Sequence, residues 1–73
     1  MKIERALGIV IKRRRKALGL SQERLAELTD TYKQRVSEHE MGDVVPSLTT
    51  LIAYAGALQC SLLELVADAQ DAA

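Results

Sequence analysis

Apolar residues return every third or fourth position along this chain and nowhere alternate, so helices are the only regular structure its pattern supports. The first run, Lys2 to Leu18, sets Ile3, Leu7, Val10, Ile11 and Leu18 on one stripe and stops at Gly19, a residue suited to ending helices. Ser21 then offers a cap, Glu23 complements the dipole of the first turn, and Leu25, Ala26 and Leu28 give a second helix its buried face. Thr29-Asp30-Thr31 is polar and turn-like, and Asp30 tolerates the left-handed region at modest cost. A third helix is predicted from Tyr32 to Met41, anchored by Val36 and stopped by Gly42-Asp43. Pro46-Ser47 starts a fourth, with Leu48, Leu51, Ile52, Ala55 and Leu58 inward. Ser61 caps a fifth, with Leu62, Leu65, Val66 and Ala69 inward. Residues 1–69 thus read as one all-α domain of five short helices, and residues 70–73 as a tail that frays.

Size limits what such a domain can do. A chain of 73 residues buries only about 60% of its unfolded surface, which leaves little room for a catalytic cleft and favours a partner subunit. The core must be aliphatic, since only Tyr32 and Tyr54 are aromatic. Cys60 is the sole cysteine and His39 the sole histidine, so no internal disulfide forms, and neither a metal site nor another cofactor is expected. No nucleophile–base pair or carboxylate dyad stands out, and an enzyme is not expected. The apolar run Ala6 to Ile11 is far below the ~20 residues that cross a bilayer and lacks a cleavage site, which points to a cytoplasmic protein.

The net charge of zero hides a division. All ten Lys and Arg lie at or before Arg35, against four acids there, so that part carries +6; Val36 to Ala73 has six acids and no base, and carries −6. Such asymmetry points to a polyanion partner on one face, or to two halves that attract each other.

Two short helices joined by a three-residue turn form a helix-turn-helix, here Ser21 to about Glu40, whose second helix enters the DNA major groove. The blocks Leu20-Ser21-Gln22-Glu23-Arg24-Leu25-Ala26-Glu27, Val36-Ser37 with Glu40 and Gly42, and Pro46-Ser47-Leu48 resemble the phage-repressor/Cro (XRE-like) class of helix-turn-helix proteins over roughly Leu7 to Val66. The resemblance implies a compact five-helix lambda-repressor-like DNA-binding domain with the motif as helices 2 and 3.

It also implies roles. Gln22 resembles the glutamine that contacts the DNA backbone and braces the recognition helix; it is otherwise an ordinary first-turn residue. Tyr32, Lys33, Gln34 and Ser37 match groove-facing positions, and their chemistry suits base contact: Gln pairs with adenine N6/N7, Lys reaches guanine O6/N7, and Ser serves either. Arg35 points off that face toward the backbone. Five consecutive cations, Lys12 to Lys16, surround a helix and cannot all face DNA. Lys12, Arg13 and Lys16 remain for phosphate or solvent, with Lys12 and Arg13 assigned to the DNA backbone. Arg15 and Glu40 match a structural ion pair of the family, while Arg14 stands where Leu is usual and lacks an evident partner. Other departures concern the turn. Asp30 replaces a usual Gly, and Tyr32 replaces a capping Ser or Thr, so Thr31 or Asp30 is expected to cap. His39 replaces a large apolar residue and is expected to be half-buried and hydrogen-bonded. Glu38 accepts from cytosine N4, repels phosphate at wrong sites, or merely faces water.

The expected function is a sequence-specific transcriptional regulator, a repressor, associated with the nucleoid and bound as a homodimer to a near-palindromic double-stranded operator. Apolar residues outside the inward stripes, Val44, Val45, Tyr54 and Leu63, supply the dimer patch, with Val44, Val45 and Leu63 its core. A phage or plasmid repressor, a restriction–modification controller and an antitoxin all fit. The rival is a protein-binding adaptor of the same fold, favoured by Asp30 and Glu38 beside the presumed DNA surface. A basic membrane-surface helix at Ile3 to Lys16 would need Leu7 and Ile11 exposed, against their place in the core.

Overall fold

The computed structural model describes residues 1–73 as five helices without strands: α1 (Ile3–Ala17), α2 (Gln22–Leu28), α3 (Lys33–Met41), α4 (Leu48–Ala57) and α5 (Leu62–Ala72). Serine starts three of them. Ser21, Ser47 and Ser61 each accept a hydrogen bond from the backbone N–H three residues on, and Ser61 with Glu64 closes a reciprocal capping box. The box holds the Glu64 carboxyl below the usual carboxylate range. α1 carries Glu4 in its first turn and Arg14, Arg15 and Lys16 in its last, the arrangement its dipole favours.

α1 runs across the domain and packs on both α5 and α3, while α2 packs on α3 and α4. Leu7, Val10, Ile11, Leu25, Ala26, Val36, Tyr54, Ala55, Leu58, Leu65 and Ala69 form one buried cluster. Tyr54 is fully buried at its centre, which corrects its expected place on the dimer surface. α4 turns Leu51, Tyr54, Ala55 and Leu58 to the core, so Leu48 and Ile52 fall on one flank and are exposed. Leu18, Leu28 and Val66 also lie more open than their stripes implied. The last residues do not leave the domain: α5 continues to Ala72, which packs on the core where a frayed tail was expected from Gln70.

Candidate nucleic-acid interface

The turn between α2 and α3 closes without glycine. Asp30 takes φ +54°, Thr31 N–H donates to the Ala26 carbonyl at 3.0 Å, and the Thr29 hydroxyl donates to the Leu25 carbonyl at 2.7 Å. Neither Thr31 nor Asp30 caps the next helix, contrary to expectation. Tyr32 occupies the cap position in extended conformation with no side-chain cap bond, and the helix begins one residue later than predicted. A phenol cannot fold back onto the helix N–H groups. Its hydroxyl instead accepts from Arg35 Nε at 3.2 Å, and its ring lies under the Arg35 guanidinium, 5.6 Å from carbon to centroid. Arg35 therefore lies folded along the flank of α3, where Nη1 also meets Glu38 at 3.4 Å.

The rotation of α3 is set by Val36, which is completely buried. At about 100° per residue, Gln34, Ser37, Glu38 and Met41 then face away from the core. Lys33 and Gln34 are exposed, as is Tyr32; Ser37 is half-buried.

Three contacts from α1 fix the far end of α3. Arg15 Nε donates to Glu40 Oε2 at 2.6 Å and Nη2 to Oε1 at 3.1 Å, with 9% and 2% of the two side chains exposed. Arg5 Nη1 donates to the Met41 carbonyl at 2.8 Å, satisfying a helix-end acceptor. Gly8 brings the α1 backbone against α3 so closely that a Cβ there would stand 2.4 Å from the Glu40 carbonyl oxygen. From α2, Gln22 Nε2 donates to Glu40 Oε1 at 3.0 Å, and Arg15 also donates to the Leu20 carbonyl at 2.8 Å. One carboxylate thus ties α1 and α2 to α3.

Another fixture lies beneath α3. His39 Nδ1 and the Tyr54 hydroxyl share a 2.6 Å hydrogen bond, their rings edge-on at 5.5 Å. Burial, then Arg35, pulls His39 below its ordinary value, with Glu38 opposing; burial and then Glu40 push Tyr54 up to about 12.

The Arg run separates as helix geometry requires. Arg14 donates through Nε to Asp68 at 3.1 Å and again through Nη2, joining α1 to α5. Arg15 holds Glu40. Lys12, Arg13 and Lys16 are exposed and line a cleft of about 330 Å³ with Arg5, Glu40 and Met41, beside the end of α3. On another side, Val45, Ile3, Leu7, Leu51 and Val66 line an almost wholly apolar groove of about 210 Å³. Leu63 is 82% exposed, and Val44 is half-buried.

A helix-turn-helix family model matches residues 11–65, the span from the middle of α1 into α5. The chain belongs to the helix-turn-helix family. Membership makes it a DNA-binding transcriptional regulator of XRE type with the lambda-repressor-like fold. Among solved structures it is similar to the clp gene regulator ClgR from Corynebacterium glutamicum, at 25% identity and TM-score 0.93 over 97% of this chain and 76% of that one. It is similar to the restriction-modification controller protein C.AhdI from Aeromonas hydrophila, at 34% identity and TM-score 0.81 over 84% and 92%. It is also similar to the P22 c2 repressor in complex with a synthetic operator, at 32% identity and TM-score 0.77 over 81% and 89%. No curated protein sequence matches it.

Sequence reasoning missed Arg5, Gly8 and Tyr54 as supports of α3, and Asp68 as the partner of Arg14. Gly8 carried a signal, since glycine inside a helical pattern costs about 1 kcal/mol and implies a packing reason. Arg5 and Asp68 carried none, because each depends on how separate helices meet.

Proposed function

We propose that this protein is a sequence-specific repressor that reads the major groove with α3 as a homodimer. One observation carries the proposal: α3 is held at Val36, Glu40 and the Met41 carbonyl while Tyr32, Lys33 and Gln34 at its start stay exposed. Immobilising a helix this way lowers the ordering cost of docking it. Lys33, Gln34, Ser37 and Tyr32 are the base-reading set; the Tyr32 hydroxyl, engaged by Arg35, keeps its acceptor and donor capacity at the groove edge. Gln22, Lys12, Arg13 and Arg35 meet the phosphate backbone, Gln22 while bracing Glu40.

A single domain touches few base pairs, so a second copy is needed for specificity, with recognition helices ~34 Å apart on a near-palindromic operator. The second copy covers the apolar side, with Val45, which lines the groove, together with Val44 and the exposed Leu63. No helix is long and apolar enough to cross a membrane, and the proposed partner places the protein with the nucleoid in the cytoplasm. Control then comes through concentration, dimerisation or a protein partner.

Selection of bound duplexes from a random pool, followed by titration of the winner at two salt concentrations, tests this. A repressor enriches one inverted repeat and loses affinity steeply with salt. A protein-binding adaptor on this fold shows neither, and that outcome overturns the proposal.

A further inference from the structure

Glu38 stands on the outward face of α3, one turn beyond Gln34, where an acid near phosphate would repel DNA. Its carboxylate is not free. Arg35 Nη1 lies 3.4 Å from Oε1, and the two side chains are only 38% and 31% exposed. Arg35 is in turn held from the other side by the Tyr32 ring and hydroxyl. The three residues, spaced i, i+3 and i+6, make one chain of contacts along the flank of the recognition helix.

Two consequences follow from that order. The adjacent cation cancels most of the long-range repulsion from Glu38, because a paired charge acts on distant phosphates as a dipole. It leaves the short-range chemistry intact: Oε2 has no partner in the protein and remains an acceptor. An acceptor-only group on the groove face complements the cytosine N4 amino group, which presents a donor there with no acceptor beside it. Arg35 does not compete for a base. Its Nε donates to Tyr32 and its Nη1 lies against Glu38, which holds the guanidinium along the flank of α3.

We propose that Glu38 is a specificity residue that accepts from cytosine N4, with Arg35 and Tyr32 as positioning residues; this rests on the DNA-reading role proposed for α3. Whatever Arg35 adds at the phosphate backbone, its effect on base choice runs through Glu38, so removing it matters to cytosine preference only while Glu38 is present.

Duplex selection from a random pool is run on the full chain as wild type, Glu38→Gln, Arg35→Ala and the double variant, with thermal melts to confirm folding. Wild type selects cytosine at one position of each half-site. Glu38→Gln loses that preference about tenfold or more and shifts it toward adenine, the base a glutamine amide pairs. Arg35→Ala weakens the cytosine preference in the wild-type background and leaves it unchanged in the Glu38→Gln background; Arg35→Lys, a cation without the planar fork, restores it only in part. If Glu38→Gln tightens every duplex alike, Glu38 merely repels; if it changes nothing, the side chain serves only the ion pair; either result overturns the proposal. A wild type that selects no duplex overturns the DNA-reading role itself, a failure separate from these two.

Discussion

Gly8 and Gly56 both lie inside helices, and the same substitution to alanine should move stability in opposite directions at the two sites. In an exposed helix interior Gly→Ala stabilises by about 0.5–1 kcal/mol, because glycine has more backbone freedom to lose on folding. Gly56 in α4 meets that description, since a Cβ there has nothing within 4 Å. Gly8 does not. A Cβ would stand 2.4 Å from the Glu40 carbonyl oxygen, 2.5 Å from that of His39 and 2.8 Å from the Glu40 carbonyl carbon. These are backbone atoms of the last turn of α3, and the His39 carbonyl already accepts from Gly42 N–H. Neither can rotate aside, so α1 and α3 must separate by on the order of 1 Å to restore van der Waals distance.

Such overpacking costs about 1–3 kcal/mol or more, against the propensity gain of about 1. Net loss at Gly8 is therefore up to about 2 kcal/mol, and the two variants should differ by the overpacking cost itself, about 1–3 kcal/mol. At about 4–8 °C per kcal/mol for a domain of this size, their Tm values lie about 4–24 °C apart. Urea unfolding followed by far-UV circular dichroism at pH 7 suits a chain without tryptophan. Equal stabilisation by both alanines would refute the close approach of α1 to α3 and the account of Gly8 as the residue that permits it.

Arg15→Met should cost about 3–5 kcal/mol, since it leaves the Glu40 carboxylate buried without its cation; Arg15→Met with Glu40→Leu should recover most of that in the same urea titration, and recovery of none would show that the pair is not the fixture described. His39 sits below its ordinary 6.5 in the folded state, so the unfolded chain binds more protons between the folded value and 6.5. Its contribution is fully present above pH 6.5 and is lost as the pH falls through 6.5 toward the folded value; the urea midpoint should drop across that window in wild type and drop less in His39→Leu. Gln59, at φ +60°, should stabilise on replacement by Gly by up to about 1 kcal/mol. Asp30→Gly at φ +54° should do less, because Asp tolerates that region better; thermal melts that reverse the order would refute the assignment of strain.

Helix number, order and breaks were legible in the chain because they depend on local chemistry: Ser21, Ser47 and Ser61 cap where they stand, and Gly19 and Gly42 take positive φ at the stops. The outward face of α3 was legible too, since one anchor, Val36, fixes its rotation. What failed was nonlocal. Tyr54 looked like a surface aromatic because its stripe on α4 is apolar nearly all round, and only the partner His39 on another helix draws the hydroxyl inward. The cap of α3 was misjudged because Tyr32 turns to Arg35, a contact that a capping rule does not weigh. Arg14 had no readable partner because Asp68 lies 54 residues away.

The division of charge along the chain now resolves into two functions rather than one. Asp68, Glu40 and Glu38 of the acidic part neutralise Arg14, Arg15 and Arg35 of the basic part, and Arg24 pairs with Glu27. Attraction between the halves therefore consumes the arginines that most resemble a DNA clamp. Arg5, Lys12, Arg13 and Lys16 remain exposed and without an ion pair on the cleft beside α3. Four phosphate contacts per protomer imply a slope of log Kd-derived affinity against log salt of about −3.6, or about −7 for a dimer, at −0.9 per phosphate. Had every Lys and Arg engaged DNA, the same arithmetic gives about −9 per protomer. A dimer slope near −18 in a salt titration would show that the internal pairs open on binding. A slope near −7 would mean that the paired arginines stay with their carboxylates inside the fold, and only the unpaired cations hold DNA.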